Sequence, residues 1–206
     1  MKQPALAAFL LCLMPAFAIA QEAPPPIDRS PDRVVKSEIV VPAPVAEVWS
    51  AWTTSAGIQS FFARGAKISL DQGGAYEIYF LPDAEEGQRG SEGTHILGYQ
   101  LHRMLHVTWA LPPYMPALRH DLTTVLIHFI PEGDNATRVV LVHSGWGRGD
   151  DWDAAYAYFL TSWDQVLDNL VHRFSDGPID WDAYLKEYEE TGTISWWRQK
   201  PPQPSN

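Results

Sequence analysis

Cysteine is almost absent from this sequence of 206 residues, which contains only Cys12. Cys12 lies inside an N-terminal segment with the features of a removable export signal. The processed protein would therefore hold neither a disulfide nor a cysteine-bound metal, and its stability must come from packing. A lipid anchor on Cys12 is a weaker alternative, because the preceding residues 9–11 lack the small residue that such sites usually have.

Long apolar runs are absent beyond the N-terminus, where residues 1–20 have the sequence MKQPALAAFLLCLMPAFAIA. This segment combines Lys2, an apolar core over residues 6–13 and a small-residue end, which are the three parts of a secretory signal. The core is too short for a membrane span, and no later stretch reaches about 18 uninterrupted apolar residues. We predict a cleavable signal peptide at 1–20, cut after Ala20, and an exported protein, periplasmic or secreted, without stable membrane insertion.

Positive charge is also scarce, since 15 Lys and Arg are outnumbered by 25 Asp and Glu, for a formal net charge of −10. Long-range repulsion disfavours a nucleic-acid backbone or an anionic membrane as the partner. A neutral, cationic or apolar ligand suits this charge better. The 7 histidines include no His-Glu-x-x-His arrangement, and we expect neither a metal site nor a cofactor.

The composition divides the chain into four parts. After the signal peptide, four prolines and several charges in QEAPPPIDRSPDR indicate a Pro-rich linker at 21–33. Most of the apolar residues follow in 34–175, which we predict to be the folded domain. The remaining residues, 176–206, are predicted to form a C-terminal extension with a short helix and a disordered end.

Strand-like segments occupy the middle of the domain. Runs rich in β-branched and aromatic residues follow one another with turn-length links, which indicates an antiparallel sheet. Val45, Val48, Trp49 and Trp52 recur at helical spacing after the first strand. Over residues 152–174, apolar residues recur mostly at steps of three or four, which is typical of a long amphipathic helix. The pattern predicts an α+β fold in which this C-terminal helix lies across the sheet.

These elements resemble the START/SRPBCC (helix-grip, Bet v-like) superfamily, and within it the AHSA-like branch, named after activators of a heat-shock-protein ATPase. The resemblance covers about residues 35–174 and rests on VPAPVAEVWSAWTT, FFARGAKISLDQGGAYE, RMLHVTW, ATRVVLVHSGWG and SWDQVLDNL. Phe61-Phe62 departs from it, since the branch more often has Trp-Phe there. The resemblance implies a curved antiparallel sheet with two short helices after the first strand. It also implies a cavity under the long helix, which in relatives binds apolar or aromatic molecules or serves protein interaction.

Alternation along the strands assigns side chains to the two faces of the sheet. Four rows are predicted to face the helix, namely Tyr76, Ile78 and Phe80; His95, Leu97, Tyr99 and Leu101; Leu105, Val107 and Trp109; and Val139, Leu141 and His143. Aromatic residues of the glycine-rich link and of the long helix are expected to join them. The predicted ligand-binding set, which includes no catalytic residue, is Tyr76, Ile78, His95, Tyr99, Trp109, His143, Trp146, Tyr156 and Trp163.

The two histidines of this set admit two interpretations. His95 and His143 either orient a ligand in an apolar pocket or are core residues whose hydrogen bonds are satisfied internally. The main hypothesis is an exported protein that binds a small apolar or aromatic molecule. One alternative is an enzyme of the cyclase, dehydratase or hydrolase type that uses a cavity histidine as its base. Another is an envelope protein-interaction module whose protein partner docks on the C-terminal extension.

Overall fold

A helix of 26 residues lies across antiparallel strands in the computed structural model, which describes residues 28–197. The strands are β1 (Val35–Val41), β2 (Gly65–Ile68), β3 (Tyr76–Tyr79), β4 (Gly90–Ser91), β5 (Ile96–Gln100), β6 (Met104–Trp109), β7 (Thr123–Pro131) and β8 (Thr137–Ser144). The α-helices are α1 (Val45–Thr53), α2 (Ser55–Gln59), α3 (Asp150–Ser175) and α4 (Trp181–Thr191). The predicted α+β helix-grip class is confirmed, with two short helices after the first strand.

The strands form two adjoining antiparallel sheets, one with the order β1-β8-β7-β6-β5 and one with the order β2-β3-β4. Backbone hydrogen bonds connect them where β5 begins, because Tyr76 N donates to Thr94 O at 2.9 Å and Ile96 N donates to Gly74 O at 2.8 Å. Position 74 needs glycine, since a Cβ there would lie 2.4 Å from the carbonyl oxygen of Ser69. The small sheet therefore continues the large one, and together they form one curved surface.

Helix α3 buries one side against this surface. Its buried apolar residues follow one another at steps of three or four: Trp152, Ala155, Phe159, Trp163, Leu167 and Leu170. This spacing keeps them on one stripe of the helix, as the sequence predicts. In the described part of the chain, no helix, α3 included, is both long and apolar enough to cross a membrane.

The inner face of the sheet matches the predicted alternation on three strands. At most 3% of each of the following residues is exposed: Tyr76, Ile78, Leu105, Val107, Trp109, Val139, Leu141 and His143. Residues that pair across neighbouring strands have their side chains on the same face. Val125 of β7 pairs with Val107 of β6 and with His143 of β8, so it lies in the same layer. Phe80 lies just beyond the end of β3 and is 43% exposed, but it keeps the predicted side, since its ring lies 5.8 Å from that of buried Phe62.

The predicted row on β5 is wrong for His95 and Leu97, although Tyr99 lies on the predicted face. A register shift between Ile96 and Gly98 breaks the alternation, and Ile96 is the buried residue while Leu97 is 40% exposed. His95 therefore points to the outer face. Tyr99 returns to the inner face opposite Leu105, but it lies at the sheet edge. Strict alternation fails here because a β-bulge inserts one extra residue and reverses the faces beyond it.

The two ends of the described chain pack on the domain. Residues 28–33, which composition assigns to the linker, contact the link before α3, where Ser30 N donates to Trp146 O at 2.8 Å. Helix α4 begins at a side-chain cap, in which Asp180 accepts hydrogen bonds from the backbone of residues 182 and 183. The predicted signal peptide, linker residues 21–27 and the end of the extension, 198–206, lie outside the described residues.

Candidate functional site

A cavity of about 580 Å³ lies between the curved sheet, α3 and α4. Aromatic side chains form most of its wall. Phe62 follows α2, Trp109 ends β6, and Trp163 lies on α3. The extension supplies a further part of the wall, with Trp181, Tyr184 and Leu185 of α4. Residues between Phe80 and Ser91 complete the wall, which thus combines five separate regions of the described chain.

The rings at the base of this cavity pack against one another. Phe62 stacks on Trp109 with ring centroids 5.9 Å apart and planes 6° apart. Trp163 contacts Trp109 at 5.0 Å and Phe159 at 5.8 Å. Offset and tilted arrangements at these separations are favourable for aromatic pairs. The base is therefore a rigid apolar surface that suits a flat or aromatic ligand.

His143 lies behind this aromatic base and is fully buried. Trp163 Nε1 donates to His143 Nδ1 at 3.0 Å, and His143 Nε2 lies 2.6 Å from Thr123 Oγ1. Thr123 in turn donates to the carbonyl oxygen of Trp109 at 3.0 Å. These partners assign the ring proton to Nε2 of a neutral imidazole. Burial holds the pKa of His143 well below its ordinary value, which keeps the ring neutral.

Two members of the predicted ligand-binding set, Trp109 and Trp163, line the cavity. Tyr76 and Ile78 are buried in the core, where the Tyr76 hydroxyl donates to Trp52 O at 3.0 Å and burial raises the pKa of Tyr76. His143 joins them in the core, because its two ring nitrogens are both occupied by protein groups. These three residues support the cavity wall from behind and do not line it.

The other predicted residues lie elsewhere. His95 approaches Thr108, with Nδ1 and Oγ1 3.2 Å apart, on the outer face. Tyr99 is 45% exposed, and its ring lies 6.0 Å from that of Trp49. Trp146 is fully buried and donates to His143 O at 3.0 Å, while Tyr156 packs on Trp146 at 5.3 Å. The predicted grouping of these residues in one site is therefore corrected.

Several wall residues escaped the sequence-based prediction. Phe62 belongs to a motif that carries the family resemblance, but nothing in that motif assigns it to the cavity. Tyr158, Phe159 and Ser162 all lie within two turns of Trp163 on α3 and line the same cavity. Positions three to four residues apart share a helix face, so the spacing from Trp163 could have indicated Phe159. No periodic signal connects the extension to this site.

The start of the extension is hydrogen-bonded to α2. Trp181 Nε1 donates to Gln59 O at 2.6 Å, and Ile179 N donates to Ser60 O at 2.9 Å. Ile179 itself is buried. These contacts hold the beginning of α4 against the end of α2, and Trp181, Tyr184 and Leu185 of α4 line the cavity from there.

Asn169 of α3 holds the end of the extension. Its Oδ1 accepts hydrogen bonds from Nε1 of Trp196 at 3.0 Å and of Trp197 at 2.9 Å. Its Nδ2 approaches the hydroxyl of Tyr184 at 3.4 Å, and burial raises the pKa of Tyr184 to about 12. Trp196 also stacks on His172 with centroids 3.8 Å apart. Because Asn169 and Tyr184 both line the cavity, the anchor of the extension is part of the cavity wall.

Replacing Asn169 with alanine should loosen the extension. The change removes the acceptor of two tryptophan N–H groups, at about 1 kcal/mol for each hydrogen bond, so local opening becomes about 2 kcal/mol easier. Trypsin cleavage at Lys186, which is exposed on α4, should then accelerate roughly 30-fold. Asn135→Ala in the exposed β7–β8 turn is the matched control. An unchanged cleavage rate in Asn169→Ala would show that this anchor does not hold α4.

Comparison with known protein families matches residues 42–175 to one family model, described as Activator of Hsp90 ATPase homolog 1-like protein. The matched range ends with α3, so α4 and the tryptophan anchor lie beyond it. A comparison with curated proteins finds no match.

Among solved structures, similar folds include protein MLL2253 from Mesorhizobium loti, at 21% identity and a TM-score of 0.55 over 68% of this chain and 95% of that one. CalU16 from Micromonospora echinospora is 20% identical, with a TM-score of 0.54 over 83% of this chain and 93% of its own. The Aha1 dimer from Colwellia psychrerythraea is 17% identical, with a TM-score of 0.53 over 70% and 98%. At these identities the likeness shows the fold alone.

Proposed function

We propose that this chain, which belongs to the family of Activator of Hsp90 ATPase homolog 1-like proteins, binds a small apolar or aromatic molecule. In its fold a long helix packs across an antiparallel sheet. The ligand would occupy the cavity between the aromatic base, α3 and α4. The single observation that carries this proposal is the combination of volume and wall chemistry. A cavity of about 580 Å³ is within the usual range for small-molecule sites, and such sites are mostly apolar and aromatic.

The polar groups of the wall favour binding over acid–base chemistry. Among the described residues that line the cavity, none is a His, Asp, Glu or Lys. The alternative of an enzyme with a cavity histidine as base gains no support, since neither His95 nor His143 lines the cavity. His143 would also have to break its hydrogen bond from Trp163 before accepting a proton. The few polar side chains, such as Ser162 and Gln165, suit orientation of a ligand.

Binding can be tested with the fluorescent probe N-phenyl-1-naphthylamine, which is apolar, aromatic and uncharged. We expect saturable binding to the full chain, with energy transfer from the wall tryptophans. Ser162→Trp places a bulky ring on the cavity side of α3 and should weaken binding at least tenfold. A tenfold loss corresponds to about 1.4 kcal/mol of binding free energy.

Thr161→Trp is the matched control for this experiment. Thr161 is the preceding residue of α3, is exposed, and does not line the cavity. The same ring added there should leave the dissociation constant within about twofold, because a surface substitution rarely changes the free energy by more than about 0.5 kcal/mol. Equal effects of the two substitutions, or no saturable binding to the unmodified chain, would refute binding in this cavity.

We also propose that the protein is exported, on the strength of the three-part signal pattern in residues 1–20. Expression of the full chain with its own N-terminus should yield a processed form outside the cytoplasm. N-terminal sequencing of that form is expected to begin at Gln21. A protein that remains in the cytoplasm with residues 1–20 attached would contradict export.

A further inference from the structure

Arg64 is a charged residue at the mouth of the cavity. It follows Ala63, which is 1% exposed, and precedes β2, so the backbone is held firmly on both sides. Its side chain is half-buried and lines the cavity together with Phe80 and Leu81. A guanidinium is always protonated in proteins, so Arg64 brings a full positive charge and five N–H donors to this rim.

The guanidinium of Arg64 lacks a protein partner within residues 28–197. No carboxylate lies within ion-pair distance of it there, and no hydrogen bond to its side chain is formed. Arg89, the other arginine of the wall, differs in this respect. It pairs with Glu92 at 2.6 Å and lies 4.7 Å from the ring of Tyr79. The charge of Arg89 is therefore balanced by Glu92, whereas no described residue balances that of Arg64.

An unpaired charge beside apolar rings is a recognition feature for the opposite charge. Removing a guanidinium from water is costly unless a counter-charge accepts its hydrogen bonds. A carboxylate, sulfonate or phosphate group can accept two parallel N–H bonds from the planar fork of arginine. A ligand with such a group could place its apolar part over Trp109 and its anion at Arg64.

The overall charge of −10 does not oppose this arrangement at short range. Charges separated by more than about 8 Å are largely screened at physiological ionic strength, so the groups nearest the bound anion decide its energy. The described wall contains two arginines and no carboxylate. The preference for neutral, cationic or apolar ligands that the net charge indicates therefore applies to long-range encounter and not to the cavity.

We infer that the ligand of this cavity is an aromatic or apolar acid whose anionic group is bound by the guanidinium of Arg64. The inference rests on the proposed function and names the ligand class more closely. Arg64 is a specificity-determining residue in this assignment, since it selects anionic over neutral ligands of the same shape.

Two probes with one ring system test this assignment. N-phenyl-1-naphthylamine is neutral, and 1-anilinonaphthalene-8-sulfonate adds a sulfonate to the same skeleton. Fluorescence titration of the full chain at physiological salt should show at least fivefold tighter binding of the sulfonate. Arg64→Gln should weaken sulfonate binding at least tenfold and change binding of the neutral probe less than twofold. Arg64→Lys, which keeps the charge but not the fork, should give an intermediate loss.

Arg103→Gln is the matched control, because Arg103 is an exposed arginine in the β5–β6 turn and does not line the cavity. Arg103→Gln changes the net charge by the same amount as Arg64→Gln, and it should leave the dissociation constants of both probes unaltered. Equal affinities of the two probes, or a similar loss for both in Arg64→Gln, would overturn the role of Arg64 while leaving the proposed function intact. Absence of binding by the neutral probe as well as the sulfonate would overturn both.

Discussion

Replacing Trp163 with alanine is expected to lower the free energy of unfolding by about 4 kcal/mol. Trp163 is 1% exposed, and its ring contacts Phe62, Trp109 and Phe159. Truncation of a buried tryptophan costs about 3–5 kcal/mol, because the contacts are lost and a cavity remains. The change also leaves Nδ1 of His143 without its donor, which adds to the cost. Urea denaturation at constant m-value measures the effect.

Tyr114→Ala is the matched control for this substitution. Tyr114 also lines the cavity, but it is 66% exposed and its ring contact is with Tyr158 at the surface. Its truncation should change the free energy of unfolding by no more than about 0.5 kcal/mol. Trp163→Phe, which keeps most of the ring but not the N–H, should fall between the two. Similar losses of unfolding free energy for Trp163→Ala and Tyr114→Ala would contradict the prediction that Trp163 stabilises the fold more than the exposed aromatic residue of the wall does.

Acidification from pH 7 to pH 5 is expected to remove up to about 2 kcal/mol of stability through His143 alone. The native ring is held neutral because burial lowers its pKa, whereas in the unfolded chain the pKa returns to about 6.5. Below this value the unfolded state binds a proton that the native state does not. The contribution of His143 to stability is therefore full well above pH 6.5 and falls by up to about 1.4 kcal/mol per pH unit below pH 6.5.

His143→Gln tests this assignment, since glutamine does not titrate. The variant should be less stable than the unmodified chain at pH 7, but its loss between pH 7 and pH 5 should be smaller, by up to about 2 kcal/mol. His106 contributes in the same direction, because partial burial lowers its pKa as well. His106→Gln should therefore remove only a minor part of the pH dependence. An unchanged slope in His143→Gln would mean that His143 is protonated in the native state.

The fold was predictable because its signals are local. The stripe on α3 and the alternation on β3, β6 and β8 each appear within a single segment of sequence. Once the order of those segments was known, the helix-grip arrangement followed from the need to cover the apolar face of the sheet. The error on β5 came from the same logic, because one bulge between Ile96 and Gly98 reversed the faces, and strict alternation ignores the glycine that often marks a bulge within a strand.

The site was predictable only in part. Trp109 was identified because the alternation on β6 places it on the inner face of the sheet. Trp163 was identified because it belongs to the apolar stripe of α3 that faces the sheet. His143 lies on the predicted face of the sheet, but it is a core residue, since both of its ring nitrogens are hydrogen-bonded to Trp163 and Thr123. The sequence left both interpretations of this histidine open. Partners 20 residues away along the chain decided between them.

Sequence by itself determined the secondary elements, the inner faces of most strands, and the family to which the chain belongs. Those properties depend on spacings of two to four residues, which a single segment carries. Only the tertiary structure decided which side chains line the cavity, that α4 and Asn169 close its side, and that Arg64 faces it with no carboxylate partner among residues 28–197. The physical reason is that a cavity is bounded by side chains distant in sequence, and its shape depends on packing that no local period encodes.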